Sequence, residues 1–291
     1  MVGKVDLVMW TKNGERTLPL VLKRIDEVIP QENVNDKILV DDHSTDNTVK
    51  IAKDFNWKVY VNPNSGIPFG ANEALRHVTT PIFISFEQDL LLAKDWWDCI
   101  PPYMQEPNIA VAGGIRVFDN RILRAISGFH SERLGKQGEI EVSMDNTIYK
   151  TKVIKALGGF PNECPICTDT ILYKKINWFT PYKWVIDSKV VSLHLRKGIR
   201  HELEHSGVMA NKCKRTKLCG CYYVPHFNEP TLIIKPKFAA SKLTLVRMFL
   251  TSPIRGFHVA VKKKCPEIFF VYPLIRLYIF KSCLKTDRLR G

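Results

Sequence analysis

Two histidines four residues apart, in the stretch HELEH at residues 201–205, form the pattern that most directly suggests metal chemistry. On a helix they would share one face and could bind zinc, with Glu202 as the general base of a metalloprotease. A protease helix should also present an apolar face to its core, but the surrounding sequence RKGIRHELEHSGVMANKCKR is charged nearly throughout. A zinc metalloprotease is therefore only a remote alternative.

A second set of polar residues follows four apolar segments and suits nucleotide binding. A carboxylate at a strand end can accept a hydrogen bond from a base N–H or a ribose hydroxyl, and another can hold a divalent metal ion. Roles as helix caps or turn formers could explain single positions, but they do not explain four segments that end alike. The residues are Thr11 and Asn13, Asp41 and Asp42, Asn62 and Asn64, and Glu87 with Asp89.

The segments that must position these groups alternate between strand and helix patterns. Strands are predicted at residues 4–11, 36–40, 57–62 and 81–86, with helical spacing and capping residues between them. This alternation with short connections predicts an α/β fold, in which helices cover both faces of a mostly parallel sheet. Ligands of such sheets bind beyond the carboxyl ends of the strands, where the polar residues lie.

Four motifs carry a resemblance to a known family. They are VDDHSTDNT (residues 40–48), NSGIPFGANEAL (64–75), SFEQDLLLAKDWW (85–97) and ALGGFPNECPICTDTILYKKI (156–176). In this order they resemble the signatures of the family 2 glycosyltransferases, in which an Asp-x-Asp motif binds metal and an acidic segment follows a GGF turn. The resemblance implies the GT-A fold, a Rossmann-like sheet flanked by helices, and the use of nucleotide sugars.

The resemblance also implies roles for single residues, despite some departures from the family pattern. Asp89 stands in the second position of the metal motif and is expected to bind Mn²⁺ or Mg²⁺, whereas Glu87 replaces the first Asp. Asp169 keeps the place of the catalytic base, next to Thr168 where the family has Glu. His194, at the end of a strand predicted in the segment VVSLHL (residues 190–195), is expected to join the metal site, since imidazole is an acceptable Mn²⁺ ligand.

The remaining assignments divide into a nucleotide-sugar side and an acceptor side. A glycine can let a ligand approach the backbone or form a flexible turn, although a plain turn explains the Gly158 and Gly159 pair equally well. The acceptor-side residues are Gly158, Gly159, Phe160 and Thr168. The nucleotide-sugar-binding residues are Thr11, Asn13, Glu15, Asp41, Asp42, Ser44, Gly66, Asn72, Glu87 and Gln88.

These residues predict an inverting glycosyltransferase of the hexosyltransferase type. The metal would neutralise the leaving diphosphate, and Asp169 would take the proton of the acceptor. The donor is expected to be a UDP or GDP sugar, and the acceptor a hydroxyl or phosphate group, which could be lipid-linked. A GT-A-like protein that binds nucleotide sugars without catalysis is the alternative that Glu87 and Thr168 leave open.

The positive charge of the chain is concentrated at its end. The net charge is +14, and residues 230–291 contribute +11 of it, mixed with large apolar side chains. We expect a GT-A catalytic domain at residues 1–229, with a nucleotide-binding half at 1–97 and an acceptor half at 98–229, followed by a basic amphipathic region at 230–291. That region suits an anionic membrane surface, while a helical cap with solvated charges is the alternative. No nucleic-acid partner is expected, because no binding motif accompanies the charge.

Location and cysteine chemistry follow from weaker signals. Lys4 and Asp6 interrupt the start of the chain, where a signal peptide would be apolar, so a cytoplasmic protein, peripheral on the inner face of the cell membrane, is expected. The eight cysteines include CPIC at residues 164–167 and CKRTKLCGC at 213–221. Structural zinc, a disulfide and free thiols all remain open for them.

Overall fold

The computed structural model describes residues 2–136, 140–164, 167–195, 198–216, 221–225, 232–236 and 242–288. The chain divides into two compact units, which we call the first and the second unit. The first comprises Met1–Val117 and Val142–Leu195, and the second comprises Phe118–Glu141 and Arg196–Gly291. These divisions do not coincide with the boundaries expected at residues 97 and 229, so that domain scheme stays a prediction.

Strands and helices of the described residues alternate through the first unit, and helices predominate in the second. The strands are β1 (Val5–Thr11), β2 (Val34–Asp41), β3 (Lys58–Val61), β4 (Ile82–Glu87), β5 (Leu90–Leu91), β6 (Ile109–Phe118), β7 (Thr147–Lys150), β8 (Lys183–His194), β9 (Cys221–Pro225) and β10 (Leu232–Pro236). The helices are α1 (Leu18–Val28), α2 (Thr48–Asp54), α3 (Ile67–His77), α4 (Trp96–Cys99), α5 (Arg121–Gly135), α6 (Thr151–Ala156), α7 (Thr168–Phe179), α8 (Ile199–Thr216), α9 (Lys242–Leu250), α10 (Ser252–Lys262) and α11 (Ile268–Arg288).

An eight-stranded sheet with the order β3-β2-β1-β4-β7-β6-β8-β5 forms the first unit. β1 pairs in parallel with β2 and β4, and β2 pairs in parallel with β3. β7 runs antiparallel to both β4 and β6, and β5 runs antiparallel to β8. The prediction of a sheet flanked by helices is confirmed, and the antiparallel strands extend the parallel half.

The two faces of the sheet are covered because successive side chains of a strand point to opposite sides. Leu7 and Met9 of β1 belong to the buried cluster that includes Leu18, Val21, Leu22 and Ile25 of α1. Val8 and Trp10 belong to a different cluster, which includes Ala71, Ala74 and Leu75 of α3. β1 is therefore buried on both faces, as a central parallel strand should be.

Asp6 interrupts the apolar sequence of β1 and is fully buried. Its carboxylate accepts hydrogen bonds from the backbone N–H groups of Thr79 and Thr80 at 2.7 and 3.0 Å, and from Asn35 Nδ2 at 2.8 Å. Burial by itself would raise the pKa of Asp6, but these hydrogen bonds lower it below the ordinary value. Asp6 thus links the start of β1 to the loop that precedes β4.

The second unit is built around contacts of α11 with α8 and α10. Val259 and Ala260 of α10 pack with Ile268 and Tyr272 of α11, and side chains of α5 lie against this cluster. α11 continues through Pro273, which stands inside the helix. Among the described residues, no helix combines the length and the apolar character needed to cross a membrane.

Candidate active site

The loops after β1 and β2 are joined by hydrogen bonds between backbone and side chains. Asn13 N donates to Ser44 Oγ at 2.8 Å, and Asn13 Oδ1 accepts from Thr45 N at 2.9 Å. Glu15 Oε2 accepts from the backbone N–H of Asn47 at 2.9 Å. The predicted nucleotide residues Asn13, Glu15 and Ser44 thus lie together and give both loops a defined shape.

Left-handed backbone conformations make these turns sharp. His43, in the VDDHSTDNT motif, has φ 59°, and Asn13 has φ 50°. Glycine enters this region at little cost, whereas a side chain such as imidazole is strained there. A glycine at position 43 would therefore remove this strain.

Two buried polar atoms at the ends of β1 and β2 are available for a ligand. Thr11 Oγ1 and Asp41 Oδ1 have no hydrogen-bond partner in the part of the chain that the structure describes. The other Asp41 oxygen, Oδ2, accepts from Ser44 N at 2.9 Å and holds the carboxylate in place. Because a buried acceptor without a partner is costly, Asp41 is suited to receive a donor such as a base N–H.

Asp42 is bound more extensively than Asp41. Its Oδ2 accepts from Ser65 Oγ at 2.9 Å and lies 3.3 Å from Lys12 Nζ, while Oδ1 lies 3.3 Å from Asn62 Nδ2. Asn62 Nδ2 also donates to the carbonyl of Gly66 at 3.1 Å, where α3 begins. The ends of β2 and β3 and the start of α3 therefore form one connected polar surface.

Gln88 also supports the loop after β1. Its Oε1 accepts from Lys12 N at 2.8 Å, and its Nε2 donates to Lys12 O at 3.0 Å. Both ends of the amide are thus engaged with backbone. Gln88, predicted to contact the nucleotide sugar, holds the loop that carries Asn13 and Glu15.

An acidic group next to this surface can hold a metal ion. Glu87, Asp145 and His194 each present a ligand atom, and these atoms lie within 4.8 Å of one another. Asp145 and His194 are buried, and two carboxylates with one imidazole are a donor set that suits Mn²⁺. Asp89 Oδ1 lies 3.2 Å from His194 Nε2, and the same nitrogen lies 3.9 Å from Glu87 Oε2, so Asp89 stands at the edge of this group and its role as a metal ligand stays a prediction.

Arg116 of β6 places a positive charge against the same carboxylates. Its Nη1 lies 2.7 Å from Asp145 Oδ2 and 3.8 Å from Glu87 Oε2. Burial alone would lower the pKa of Arg116, but Asp145 and Glu87 raise it above its already high ordinary value. Arg116 is therefore a permanent cation that partly neutralises the acidic group.

Asp169, the predicted catalytic base, lies in the first turn of α7. Burial raises its pKa, which the hydrogen bond from Thr170 N at 2.7 Å and the charge of Arg116 only partly oppose. The charge of Asp145 raises the pKa further, which places Asp169 within electrostatic reach of the acidic group. A carboxylate with a raised pKa is the better proton acceptor.

The acceptor-side residues form a turn that Asn72 holds. Asn72 Nδ2 donates to Phe160 O and Asn72 Oδ1 accepts from Phe160 N, both at 2.8 Å. Gly158 and Gly159 have φ 83° and 90°, and a Cβ on Gly159 would lie 2.3 Å from Asn72 Oδ1. Glycine is thus required at Gly159, and the nucleotide contact expected of Asn72 would have to use the remaining N–H of its amide.

Comparison with known proteins decides the family. The model of "Glycosyl transferase family 2" matches residues 6–157, just over half of the chain. The chain belongs to this family. No curated protein sequence matches it significantly.

Solved glycosyltransferases share the fold at low sequence identity. Mannosyltransferase PcManGT from Pyrobaculum calidifontis, in complex with GDP-Man and Mn²⁺, has a TM-score of 0.64 and 16% identity over 100% of this chain and 89% of that chain. TarS 1–349 from S. aureus, in complex with UDP-GlcNAc, has a TM-score of 0.54 and 13% identity over 98% of this chain and 92% of that one. Glucosyl-3-phosphoglycerate synthase from Mycobacterium tuberculosis, in complex with Mn²⁺, UDP and phosphoglyceric acid, has a TM-score of 0.53 and 13% identity over 82% of this chain and 88% of that one. The GT-A fold is confirmed by this likeness.

Two residues of this family 2 glycosyltransferase were not found from the sequence. Arg116 lies in the antiparallel strand β6, and Asp145 lies in the loop before the antiparallel strand β7. The acidic residues predicted at strand ends, by contrast, follow parallel strands. β7 pairs with β4 through Ser85 and Thr147. Glu87 lies two residues after Ser85, and Asp145 lies two residues before Thr147. Because the strands are antiparallel, both carboxylates come to the same edge of the sheet. The pair Asp145–Asn146 before TIYK was the available signal.

Two of the predicted acceptor-side residues, Phe160 and Thr168, have buried side chains. Phe160 is buried, and its ring makes edge contacts with Trp10, Phe83 and Tyr149. Its side chain therefore belongs to the core, and its backbone remains on the acceptor-side turn. Thr168 is also buried, and its Oγ1 has no partner among the described residues.

The HELEH segment lies on α8, in the second unit. Its rings His201 and His205 stack with centroids 6.3 Å apart. Among the described residues, the group that could hold a metal consists of Glu87, Asp145 and His194, and it does not include these histidines. The zinc protease has no support from the geometry. Cys213, Cys219 and Cys221 lie outside the residues whose side chains the structure describes.

Proposed function

We propose that this glycosyltransferase moves a hexose from a UDP or GDP sugar to an acceptor with inversion of the anomeric carbon, assisted by Mn²⁺ or Mg²⁺. The proposal rests on a metal-capable group, Glu87, Asp145 and His194, that lies beside Arg116. The base candidate Asp169 interacts electrostatically with Arg116 and Asp145. Solved structures with this fold contain GDP-Man, UDP-GlcNAc or UDP, and two of them contain Mn²⁺. These ligands support the same donor class for this chain.

The nucleotide would bind along the ends of β1, β2 and β3. Asp41 Oδ1, buried without a partner in the described residues, accepts a hydrogen bond from the base, and Asp42 is placed to receive a ribose hydroxyl. Exchanging one of the present Asp42 contacts for a ribose hydroxyl keeps the carboxylate hydrogen-bonded. The loops held by Gln88 and Asn72 supply a surface that needs little rearrangement on binding.

The leaving diphosphate requires positive charge at the acidic group. Glu87, Asp145 and His194 would hold the divalent metal, with Asp89 beside His194, and the bound ion would neutralise the departing phosphates. Arg116 adds a permanent charge at the same place. Its contact with Asp145 also keeps that buried carboxylate oriented toward Glu87.

Asp169 would take the proton of the acceptor. As the acceptor oxygen forms its bond to the anomeric carbon, the bond from that carbon to the diphosphate breaks and the electron pair leaves with the phosphate. The proton passes to the Asp169 carboxylate, whose raised pKa favours its capture. Attack from the side opposite the leaving group inverts the configuration.

Donor turnover and donor binding, measured separately, test this proposal. UDP-glucose, UDP-GlcNAc and GDP-mannose are incubated with the full chain and Mn²⁺, release of UDP or GDP on transfer to water or to an added sugar acceptor is followed, and binding is measured by thermal shift. Asp169→Asn should keep the thermal shift and lose turnover by roughly 10²–10⁴-fold. Turnover equal to that of the unchanged chain would refute Asp169 as the base.

The metal site is tested by Asp145→Asn, with Asp36→Asn as the matched control. Asp36 pairs with Lys58 at the opposite end of β2. Asp145→Asn should weaken Mn²⁺ binding by at least about tenfold, because even the loss of a residue that only supports a metal ligand typically costs that much. Asp36→Asn should leave Mn²⁺ binding unchanged. Donor binding with Mn²⁺ but without turnover in the unchanged chain would favour a non-catalytic binding protein. Glu87 in place of the first Asp of the metal motif, and Thr168 in place of the family's Glu, keep this alternative open.

A further inference from the structure

α10 is apolar on two opposite faces, but only one of them is packed. Gly256, Val259 and Ala260 are buried, and a Cβ on Gly256 would already touch Tyr272 of α11 at 3.3 Å. On the other side Ile254, Phe257 and Val261 are 75%, 61% and 62% exposed. Apolar side chains on a helix face normally pack against another element. Among the described residues, none covers Ile254, Phe257 and Val261 enough to bury them.

The exposed side chains of α10 continue onto the start of α11. The rings of Phe257 and Phe269 lie 6.5 Å apart, and Phe269 and Phe270 lie 5.0 Å apart. Phe269 and Phe270 are 39% and 70% exposed. We call Ile254, Phe257, Val261, Phe269 and Phe270 the α10 patch. Contiguous exposed apolar surface of this kind marks an interaction site.

Basic residues outnumber acidic ones in the sequence around the α10 patch. Residues 242–264 contain six Lys or Arg and no Asp or Glu, and Glu267, which follows them, pairs with Arg121 of α5 at 3.6 Å. Lys262 pairs with Glu132 of α5 at 2.6 Å, and Lys263 contacts the same carboxylate. Arg247, Arg255 and Lys264 are exposed, so positive charge remains at the surface of the segment that carries the patch.

We propose that the α10 patch docks on the surface of a membrane that contains anionic lipids. Apolar side chains would enter the boundary between headgroups and acyl chains, and Arg247, Arg255 and Lys264 would contact the negative headgroups. A second copy of the chain fits less well, because its patch would bring like charges together. The folded unit thus exposes both the apolar and the basic residues of this segment.

This docking goes beyond the transfer reaction and has one consequence for it. A protein held at a lipid surface meets acceptors that are anchored there, such as a sugar or phosphate carried on a lipid. That consequence rests on the proposed function. The docking itself does not, because vesicle binding is measured without donor, acceptor or metal.

Vesicle co-sedimentation of the full chain tests the docking. Vesicles of phosphatidylcholine alone are compared with vesicles that also contain phosphatidylglycerol, at low and at high salt. We expect binding to the anionic vesicles that weakens with salt, because exposed charges are screened. The double variant Ile254→Ser/Phe257→Ser should bind at least about tenfold more weakly, since affinity scales with the apolar area inserted.

Matched variants separate docking from other effects. Leu20→Ser removes an apolar side chain that is 56% exposed on α1, in the first unit, and should leave vesicle binding unchanged. Arg247→Gln/Arg255→Gln retains the apolar side chains and should reduce the preference for anionic vesicles. Equal vesicle binding by the unchanged chain and the Ile254→Ser/Phe257→Ser variant, or no binding to either vesicle, would overturn the proposal. A dimer in sedimentation that this double variant dissociates would also overturn it, in favour of a second copy.

Discussion

Replacing Arg116 by Gln tests whether a permanent cation holds the acidic group together. The change removes the charge 2.7 Å from Asp145 Oδ2 and leaves a carboxylate whose side chain is 0% exposed. Breaking a buried ion pair costs about 3–5 kcal/mol. Ser143 Oγ still bonds Asp145 and the Arg116 side chain is 25% exposed, so we expect a loss at or below the lower limit of this range, about 2–3 kcal/mol.

Thermal unfolding with and without Mn²⁺ measures this effect. At about 2–4 °C per kcal/mol for a domain of roughly 200 residues, the melting temperature should fall by roughly 4–12 °C without metal. Saturating Mn²⁺ should reduce the deficit, because the ion neutralises the same carboxylates. Arg76→Gln is the control: Arg76 is 75% exposed and pairs with Glu73, an exposed contact worth at most about 1 kcal/mol.

Two results would refute this reasoning. A melting temperature as high as that of the unchanged chain, without metal, would show that Arg116 does not compensate the buried charge of Asp145. A deficit that Mn²⁺ leaves unchanged would show that the ion does not bind at these carboxylates. The second result would also move the metal site away from Glu87, Asp145 and His194.

Three further predictions concern single residues of the first unit. Because burial raises the pKa of Asp169, turnover should fall on the acid side at a higher pH than an ordinary carboxylate would give. Asp169→Asn should raise the melting temperature at neutral pH, because it removes a buried negative charge. This gain should vanish as the pH falls through the raised pKa, where Asp169 itself is neutral. His43→Gly should raise the free energy of unfolding in urea by about 1 kcal/mol, because His43 has φ 59°. Asn56→Gly, at φ 61°, should gain less, since asparagine tolerates this region. A gain at His43 no larger than that at Asn56, or a loss, would contradict backbone strain at His43. Asp6→Asn should cost about 2 kcal/mol at neutral pH by weakening three hydrogen bonds, and the cost should disappear as the pH falls through the lowered pKa of Asp6; a cost that persists in acid would exclude the charge as its cause.

The parallel half of the sheet and its loops could be predicted from the sequence because their signals are local. Apolar strands that end in Asp41 or Glu87, and turns that contain His43 or Gly66, are visible within short windows. The structure places these residues as expected along one edge of the sheet. By contrast, Gln88 and Asn72 carry amides that suit a ligand equally well, and only their backbone partners show that they hold loops.

The composition of the α10 patch was also visible, but its exposure was not. Residues 268–280 form a long apolar run in the sequence, yet Ile268, Val271 and Tyr272 of that run are buried. The α10 patch combines Phe269 and Phe270 of this run with Ile254 and Phe257 of α10, which face solvent. Apolar residues on both faces of a helix give no indication of which face packs, because that choice depends on α11 and α5.

The sequence determines the family, the edge of the sheet proposed to bind the nucleotide and the candidate base Asp169, because each depends on residues close together in the chain. The metal-capable group depends on the tertiary structure, since Glu87, Asp145 and His194 are far apart in sequence. β7 runs antiparallel to β4 and brings its first residues to the carboxyl end of that strand, and β8 ends beside β5. Strand direction is set by the packing of the whole sheet, and for this reason Asp145 and Arg116 became recognisable only in the folded protein.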